Sequence, residues 1–283
     1  MTGIVNPKVK RPALRWYGSK WRIAPWIIAN LPRHQAYVEP YGGTASVLLR
    51  KPVAKIETVN DLDKRLVNFF TVLRDQSADL LRAIELTPYA KVEYEGSRDQ
   101  HPDPLEDARR FYVLSWQGRT GSTGGRNLAG WRYERDPDNR TGGPVAREFA
   151  HAGHLRAIAI RLKGVQLEHD DALTAIGRYD TPQTLHYVDP PYVPSTRSDR
   201  VIYAHETDEA GHVALAEVLH AVQGMVVLSG YPSPLYDHLY AGWEQTQRET
   251  ITDSAKVVAE VLWFNPAAAA ALTRHRPSQG ILL

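Results

Sequence analysis

Residues 36–75 read AYVEPYGGTASVLLRKPVAKIETVNDLDKRLVNFFTVLRD, and the alternation within them decides the fold class. "AYVEP" (36–40) is a short strand closed by Pro40, and "YGGTASVLLRK" is a loop entering a helix. "KIETVND" (55–61) is a second strand ending in polar residues. Leu62, Leu66, Phe69, Phe70 and Leu73 then recur at helical spacing. Two strand–turn–helix units in succession predict an α/β sheet with parallel strands.

The same alternation resumes near residue 164. "VQLEHDDAL" and "TLHYVDPPY" each run from a strand into polar residues, and "EAGHVALAEVLHAV" is a helix with Val213, Ala216, Leu219 and Val222 on one side. "GMVVLSGYP" is a further buried strand, and "WEQTQRETIT" and "KVVAEVLWFNP" are two strands joined by "DSAK". That hairpin predicts one antiparallel strand in an otherwise parallel sheet. "NPAAAAALTRH" is a short helix or a tail. Between the two halves, residues 77–163 carry helical segments and no strand–helix alternation. The expected division is a catalytic domain from 1–76 and 164–283, with an inserted, mainly helical domain at 77–163.

Composition is that of an ordinary soluble protein: 283 residues, 23% charged, 43% hydrophobic, net charge +2. No apolar run approaches the roughly 20 residues of a membrane helix, and the first twenty residues lack the apolar core of a signal peptide. A cytoplasmic location, away from membranes, is expected. There is no cysteine, which excludes disulfides, thiolate metal sites and a cysteine nucleophile. Among the eleven histidines only His151 and His154 are closely spaced, and that pair reads as exposed on a helix edge. No metal is expected. No Gly-x-x-x-x-Gly-Lys-Ser/Thr loop is present, which argues against a P-loop nucleotidase. Nothing sets an oligomeric state, and a monomer is compatible.

Charge is unevenly spread. Eight arginines between Arg109 and Arg147 face only Glu134, Asp136 and Asp138, in a stretch rich in glycine that also carries Trp116 and Trp131. Such a loop suits a phosphate backbone, and a solvated surface loop has the same composition.

Polar residues gather after four predicted strands: Glu39 to Gly43, Asp61, Asp170 and Asp171, and Asp189 to Tyr192. Ligands of open α/β sheets bind outside the carboxyl ends of the strands, so these loops converge on one crevice. Gly42-Gly43 allows close backbone approach or simply a tight turn. Asp61 is placed to accept from ribose hydroxyls, or to cap the helix beginning near Leu62.

Asp189-Pro-Pro-Tyr192 is the most specific signal. An exocyclic amine on a base is a poor nucleophile, because its lone pair is delocalised into the ring. Acceptors on both N–H bonds return electron density to nitrogen. The Asp189 carboxylate is one such acceptor, and the Pro190 carbonyl, fixed by consecutive prolines, is a second. Tyr192 offers a face on which an extruded base can stack.

This tetrapeptide resembles the catalytic motif of the S-adenosylmethionine-dependent amino-methyltransferases, and its aspartate-to-tyrosine form is similar to the adenine-N6 DNA enzymes. The order of motifs resembles the Dam-like (D12, alpha-class) adenine methyltransferases, many of them carried by phages and restriction–modification systems. The likeness runs from Trp16 to about Pro266 and is weakest in the middle. "RWYGSK" is similar to Trp-x-Gly-Gly-Lys, with Ser19 for the second glycine; "EPYGGTASVLL" to Glu-Pro-Phe-x-Gly-x-Gly, with Tyr41 for phenylalanine and Ala45 for the last glycine. "NDLD" and "HDDA" match acidic positions through Asp61 and Asp171, and "EVLWFNP" resembles the last-strand signature.

The resemblance implies a Rossmann-like S-adenosylmethionine-dependent methyltransferase sheet with an inserted target-recognition domain. It implies cofactor contacts from Trp16, Lys20, Glu39, Tyr41, Gly43, Asp61 and Asp171, with Asp189 near the methionine moiety. It further implies catalysis by Asp189, Pro190 and Tyr192, and double-stranded DNA as partner. Arg119, Arg126 and Arg132 are the candidate DNA contacts. "GRTGSTGGRNLAGWRYER" (118–135) lacks the asparagine-rich pattern expected of a GATC reader, so an adenine target is expected without a particular site. Methylation of cytosine C5 needs a cysteine nucleophile and is excluded. Another planar amine or amide (cytosine N4, an RNA base, a protein glutamine) and an inactive DNA-binding relative are the alternatives.

Overall fold

The computed structural model describes residues 7–119, 130–134, 145–193, 207–251 and 257–274. Seven strands form one mixed sheet: β1 (Ala36–Glu39), β2 (Ile56–Asn60), β3 (Val165–Glu168), β4 (Thr184–Val188), β5 (Met225–Gly230), β6 (Glu244–Ile251) and β7 (Val257–Phe264). Their order is β3-β2-β1-β4-β5-β7-β6. The first five in this order run parallel, and β7 is antiparallel to both β5 and β6. The parallel core and the antiparallel end are as the sequence predicts; the joining residues 253–256 lie outside the described residues.

Alternation along each strand divides the interior into two cores, one per face. Leu185 and Tyr187 of β4, Met225 and Val227 of β5, and Leu262 and Phe264 of β7 enter the first. Val188, Val226, Leu228, Val261 and Trp263 enter the second. Strand β4 is buried along its whole length, as a central parallel strand must be.

The first face is covered by α1 (Ala24–Ala29), α2 (Lys64–Asp75), α3 (Ser77–Glu85), α5 (Pro104–Gln117), α6 (Val145–Ala150) and α7 (Leu155–Leu162), and α4 (Lys91–Gly96) packs on α5. Helix α2 is opened by the Asp63 side chain, which accepts from the Arg65 and Leu66 amides, and buries Leu66, Phe69, Phe70, Val72 and Leu73. Phe69 meets Phe111 and Tyr112 of α5 at ring-centroid distances of 6.2 and 6.4 Å. The helices of residues 77–163 thus share a continuous apolar core with α2. On the second face lie α8 (Ala172–Tyr179), α9 (Glu209–Ala221) and α10 (Pro234–Leu239), around a cluster of Tyr236, Tyr240, Trp243 and Trp263. Pro266–Thr273, the alanine run, is helix α11.

Three local expectations are corrected. The segment after Gly43 forms successive turns and no α-helix. The Glu39 carboxylate takes the Leu48 amide at 2.7 Å, diverting a donor that a helix would use internally. Helix α9 is rotated from the predicted face: it buries His212, Leu215, Ala216 and Leu219, and Val213 is 38% exposed. His154 is not simply exposed, since its ring sits between the carbonyl oxygens of His151 and Pro12 at 3.0 and 3.1 Å.

Candidate active site

Strand order reverses between β1 and β4, the place where an α/β sheet opens a crevice at its carboxyl edge. The loops beginning at Glu39 and at Asp189 leave these two adjacent strands, so residues 150 positions apart meet there because of topology.

The first loop is drawn tightly onto β2. The Gly42 amide donates to the Asn60 carbonyl at 2.7 Å, and a Cβ at Gly42 would stand 2.3 Å from Val59 Cγ1, so only glycine fits. Gly43 and Ala45 have φ of +48° and +50°. These are the two glycine positions of the motif, and alanine adopts the left-handed conformation at the second. The Gly43 amide donates to Asp61 Oδ2 at 2.8 Å, and the Asp63 amide to Asp61 Oδ1 at 2.9 Å. Asp61 therefore anchors the glycine loop, and the capping role open to it from sequence belongs to Asp63. Asn60, wholly buried, joins three crevice loops. Its Nδ2 donates to the carbonyls of Pro40 and Asp170 at 2.9 and 3.0 Å, and its Oδ1 accepts from the Asp170 amide at 2.9 Å.

The segment before α1 closes the crevice from the side. Trp16 packs on Phe111 at 5.9 Å. Ser19, Thr44 and Ser46 form a hydroxyl triangle with edges of 2.8 to 3.2 Å. Ser19, the departure from the second glycine, is thereby bonded to the glycine loop. Lys20 Nζ lies 2.9 Å from Asp189 Oδ2, donates to the Gly18 carbonyl at 3.1 Å, and stands 4.7 Å above the Tyr192 ring.

Burial pushes the Asp189 carboxyl above the ordinary aspartate range, and Lys20 pulls it back. Asp189 Oδ1 is buried with no hydrogen-bond partner among the described residues. An acceptor so placed costs about 1–3 kcal/mol until something donates to it. The Tyr192 hydroxyl donates to Glu260, whose Oε1 also accepts from Ser229 Oγ at 2.6 Å. Tyr231 meets the Tyr192 ring at 4.4 Å and 67°. Glu39 accepts from the Tyr37 hydroxyl at 2.8 Å as well as from Leu48, and burial raises its carboxyl to about 7.

These loops enclose a cavity of about 540 Å³. Trp16, Lys20, Glu39, Tyr41, Gly43, Asp61, Asp171, Asp189, Pro190 and Tyr192 all line it. Three of these carboxylates accept from backbone amides: Glu39 and Asp61 as above, and Asp171 as the N-cap of α8, from the Leu173 and Thr174 amides. Tyr41 also packs against the second core.

Arg119 and Arg132 do not line the cavity. Arg119 is exposed with its guanidinium 5.0 Å from the Tyr133 ring. Arg132 lies 3.6 Å from the Glu148 carboxylate, and Arg126 lies outside the described residues. Arg109 and Arg110, counted in the basic stretch, both pair with Glu106. No cluster of His, Asp and Glu suited to a metal ion occurs among the described residues, nor any helix long and apolar enough to cross a membrane.

Sequence reasoning missed Asn60, Ser229, Tyr231 and Glu260. The available signal was a polar residue inside an apolar strand: Asn60 in "IETVN", Ser229 in "MVVLSG", Glu260 in "VVAEVLWF".

The family model described as D12 class N6 adenine-specific DNA methyltransferase matches residues 16–256. A DNA adenine methylase of Salmonella typhi is 23% identical over 246 residues, covering 82% of this chain and 85% of the relative. One from Escherichia coli (strain K12) is 22% identical with the same coverage.

Proposed function

Because the chain belongs to the D12 class of N6 adenine-specific DNA methyltransferases, and so methylates adenine in DNA, we propose that the crevice between β1 and β4 is where the transfer takes place, with S-adenosylmethionine as donor and a flipped-out adenine as acceptor. The observation that carries this reading is the convergence of the motif residues on one cavity beside a buried carboxylate oxygen, Asp189 Oδ1, with no hydrogen-bond partner among the described residues.

The residues present fit such a cofactor. At Gly43, a Cβ would meet nothing nearer than Trp16 Nε1 at 3.9 Å, so the loop backbone there borders the cavity beside Trp16. A cavity of about 540 Å³ falls within the range of small-molecule sites. Trp16, Gly43, Asp61 and Asp171 would hold the cofactor, with Lys20 and Asp189 at its methionine end. When bound it supplies the methyl group as an electrophilic carbon on sulfur.

The chain's own residues prepare the amine. Asp189 and the Pro190 carbonyl accept its two N–H bonds and return electron density to nitrogen, while Tyr192 stacks on the base. Lys20 favours the ionised, accepting form of Asp189 against the effect of burial. Holding amine and methyl donor in line supplies much of the barrier reduction, and no protein nucleophile takes part.

Double-stranded DNA would lie along the helical segment 77–163. Arg119, exposed and braced on Tyr133, is the better-placed contact; Arg132 must first leave Glu148. The enzyme would act in the cytoplasm, where bacterial DNA resides. The test is Asp189→Ala with unmethylated bacterial DNA, followed by mass spectrometry of the nucleosides. The expected result is N6-methyladenine from the native chain and none from a variant with an unchanged melting temperature. Substantial turnover by the folded variant overturns the assignment.

A further inference from the structure

Glu260, the first residue of "EVLWFNP", is a polar group in direct contact with the catalytic motif that the mechanism above does not employ. It lies within β7, is 3% exposed, and stands among the apolar residues of "VVAEVLWF". A carboxylate in a sheet interior is unfavourable unless its lone pairs are satisfied. Here Oε1 accepts two hydroxyls, Ser229 Oγ from β5 and the phenol of Tyr192. Burial raises the Glu260 carboxyl, Lys20 lowers it, and Asp189 raises it, so all three ionisable groups share one electrostatic environment.

The contacts form an open chain across the carboxyl edge of the sheet. Asp189 is held by Lys20, Lys20 sits on the face of Tyr192, Tyr192 is tied at its hydroxyl to Glu260, and Glu260 is fixed by Ser229. Tyr231 closes on the ring of Tyr192 from the side. A ring face suffices for stacking on a base, and phenylalanine has one. The hydroxyl must serve something else. Anchored at its hydroxyl, the ring cannot swing about χ1, and Lys20 and Tyr231 against the ring restrict its rotation about χ2, whose axis passes through the hydroxyl oxygen.

We propose that Glu260 is a positioning residue for methyl transfer: through the Tyr192 hydroxyl it sets the direction and depth of the ring against which the target adenine is held. The inference rests on the reading of Tyr192 as the stacking residue. It explains why tyrosine occupies the end of the motif and why an acid is kept inside β7.

The test compares single-turnover rates of methyl transfer to unmethylated bacterial genomic DNA, with S-adenosylmethionine affinity measured separately by calorimetry. Y192A, Y192F, E260A, E260Q and the Y192F/E260A double variant are used. Misplacement of a reacting group on the ångström scale costs up to about a hundredfold, so Y192F and E260A should each be slower by about ten- to a hundredfold. The double variant should be no slower than either alone, because both remove the same tether. Cofactor affinity should stay within about twofold of native, since the tether orders the ring and not the cofactor loops. E260Q, whose carbonyl can accept both hydroxyls, should recover most of the rate. Y192A at the native rate refutes the stacking reading itself. Y192A slow with Y192F at the native rate refutes the tether alone, as do additive effects in the double variant. Should E260A fail to fold, Y192F and E260Q still decide the matter.

Discussion

Asn60→Asp is the most exacting test of how the crevice is held together. The substitution keeps the shape of the side chain and exchanges one donor for an oxygen. In the native chain Nδ2 serves two carbonyls, of Pro40 and Asp170, and Oδ1 receives the Asp170 amide. An ionised carboxylate there would face two carbonyl oxygens at about the same separations, in a place closed to water. The introduced carboxyl escapes by keeping its proton, which restores one donor and leaves one carbonyl unserved, a loss of about 1 kcal/mol. Keeping the proton has a further cost that grows by about 1.4 kcal/mol for each pH unit above the usual aspartate value near 3.9. The total is about 2.5 kcal/mol at pH 5 and about 5 kcal/mol at pH 7. The sign follows from the raised folded-state value: the variant is least impaired at low pH and loses stability as pH rises. Urea midpoints of both proteins at pH 5, 6 and 7 measure this directly. A difference that is flat across that range, or shrinks as pH rises, would refute the arrangement of Asn60. Asn60→Ala, which introduces no ionisable group, should give a loss independent of pH.

Two further outcomes follow from the first loop. Burial raises Glu39 to about 7, so its protonated form stabilises the fold below the unfolded value near 4.5, and that contribution, on the order of 3 kcal/mol, is lost as pH rises through 7. Glu39→Gln keeps an acceptor for Tyr37 and Leu48, and its thermal stability should fall less than that of the native chain between pH 5 and 8.5; identical slopes would show that Glu39 does not titrate there. Ala45→Gly relieves a left-handed alanine, worth about 1–2 kcal/mol. It also frees the unfolded chain by about 0.4–1 kcal/mol and removes a buried methyl worth about 0.8 kcal/mol. The effects nearly cancel, so the urea midpoint should move by less than about 0.5 kcal/mol equivalent. A shift of about 2 kcal/mol either way would contradict the cancellation.

The sheet and the crevice were legible because strands in a parallel sheet end abruptly, with polar residues where the apolar run stops. Glu39, Asp61, Asp171 and Asp189 all stand at such ends, and all line the cavity. Their individual duties were not legible. Asp61 and Asp63 are equally plausible caps by composition, and only the path of the glycine loop assigns the Gly43 amide to Asp61. The predicted helix after Gly43 failed because Glu39, nine residues before Leu48, competes for an amide that local propensity assigns to the helix. Asn60, Ser229 and Glu260 escaped for a related reason. A polar residue inside a strand is explained by a partner on another strand or loop, and period-two alternation does not say which one.

The pairing of β2 with β3 has a consequence for how such a chain can change its target. Residues 61–164 leave the sheet at the end of β2 and return at the start of β3, its parallel neighbour. Everything between is a single crossover, leaving at the carboxyl end of β2 and re-entering at the amino end of β3. The closure entropy of an excursion grows only with the logarithm of its length, so a doubling costs about 0.6 kcal/mol. Insertions, deletions and exchanges far from α2, α5 and α7 can therefore accumulate in this segment without shifting the register that brings Asp61 to Gly43 or Asp189 to Lys20. If residues 77–163 meet the DNA as proposed, chemistry and address are written on separate stretches of the polypeptide, and the second can be rewritten while the first is left alone.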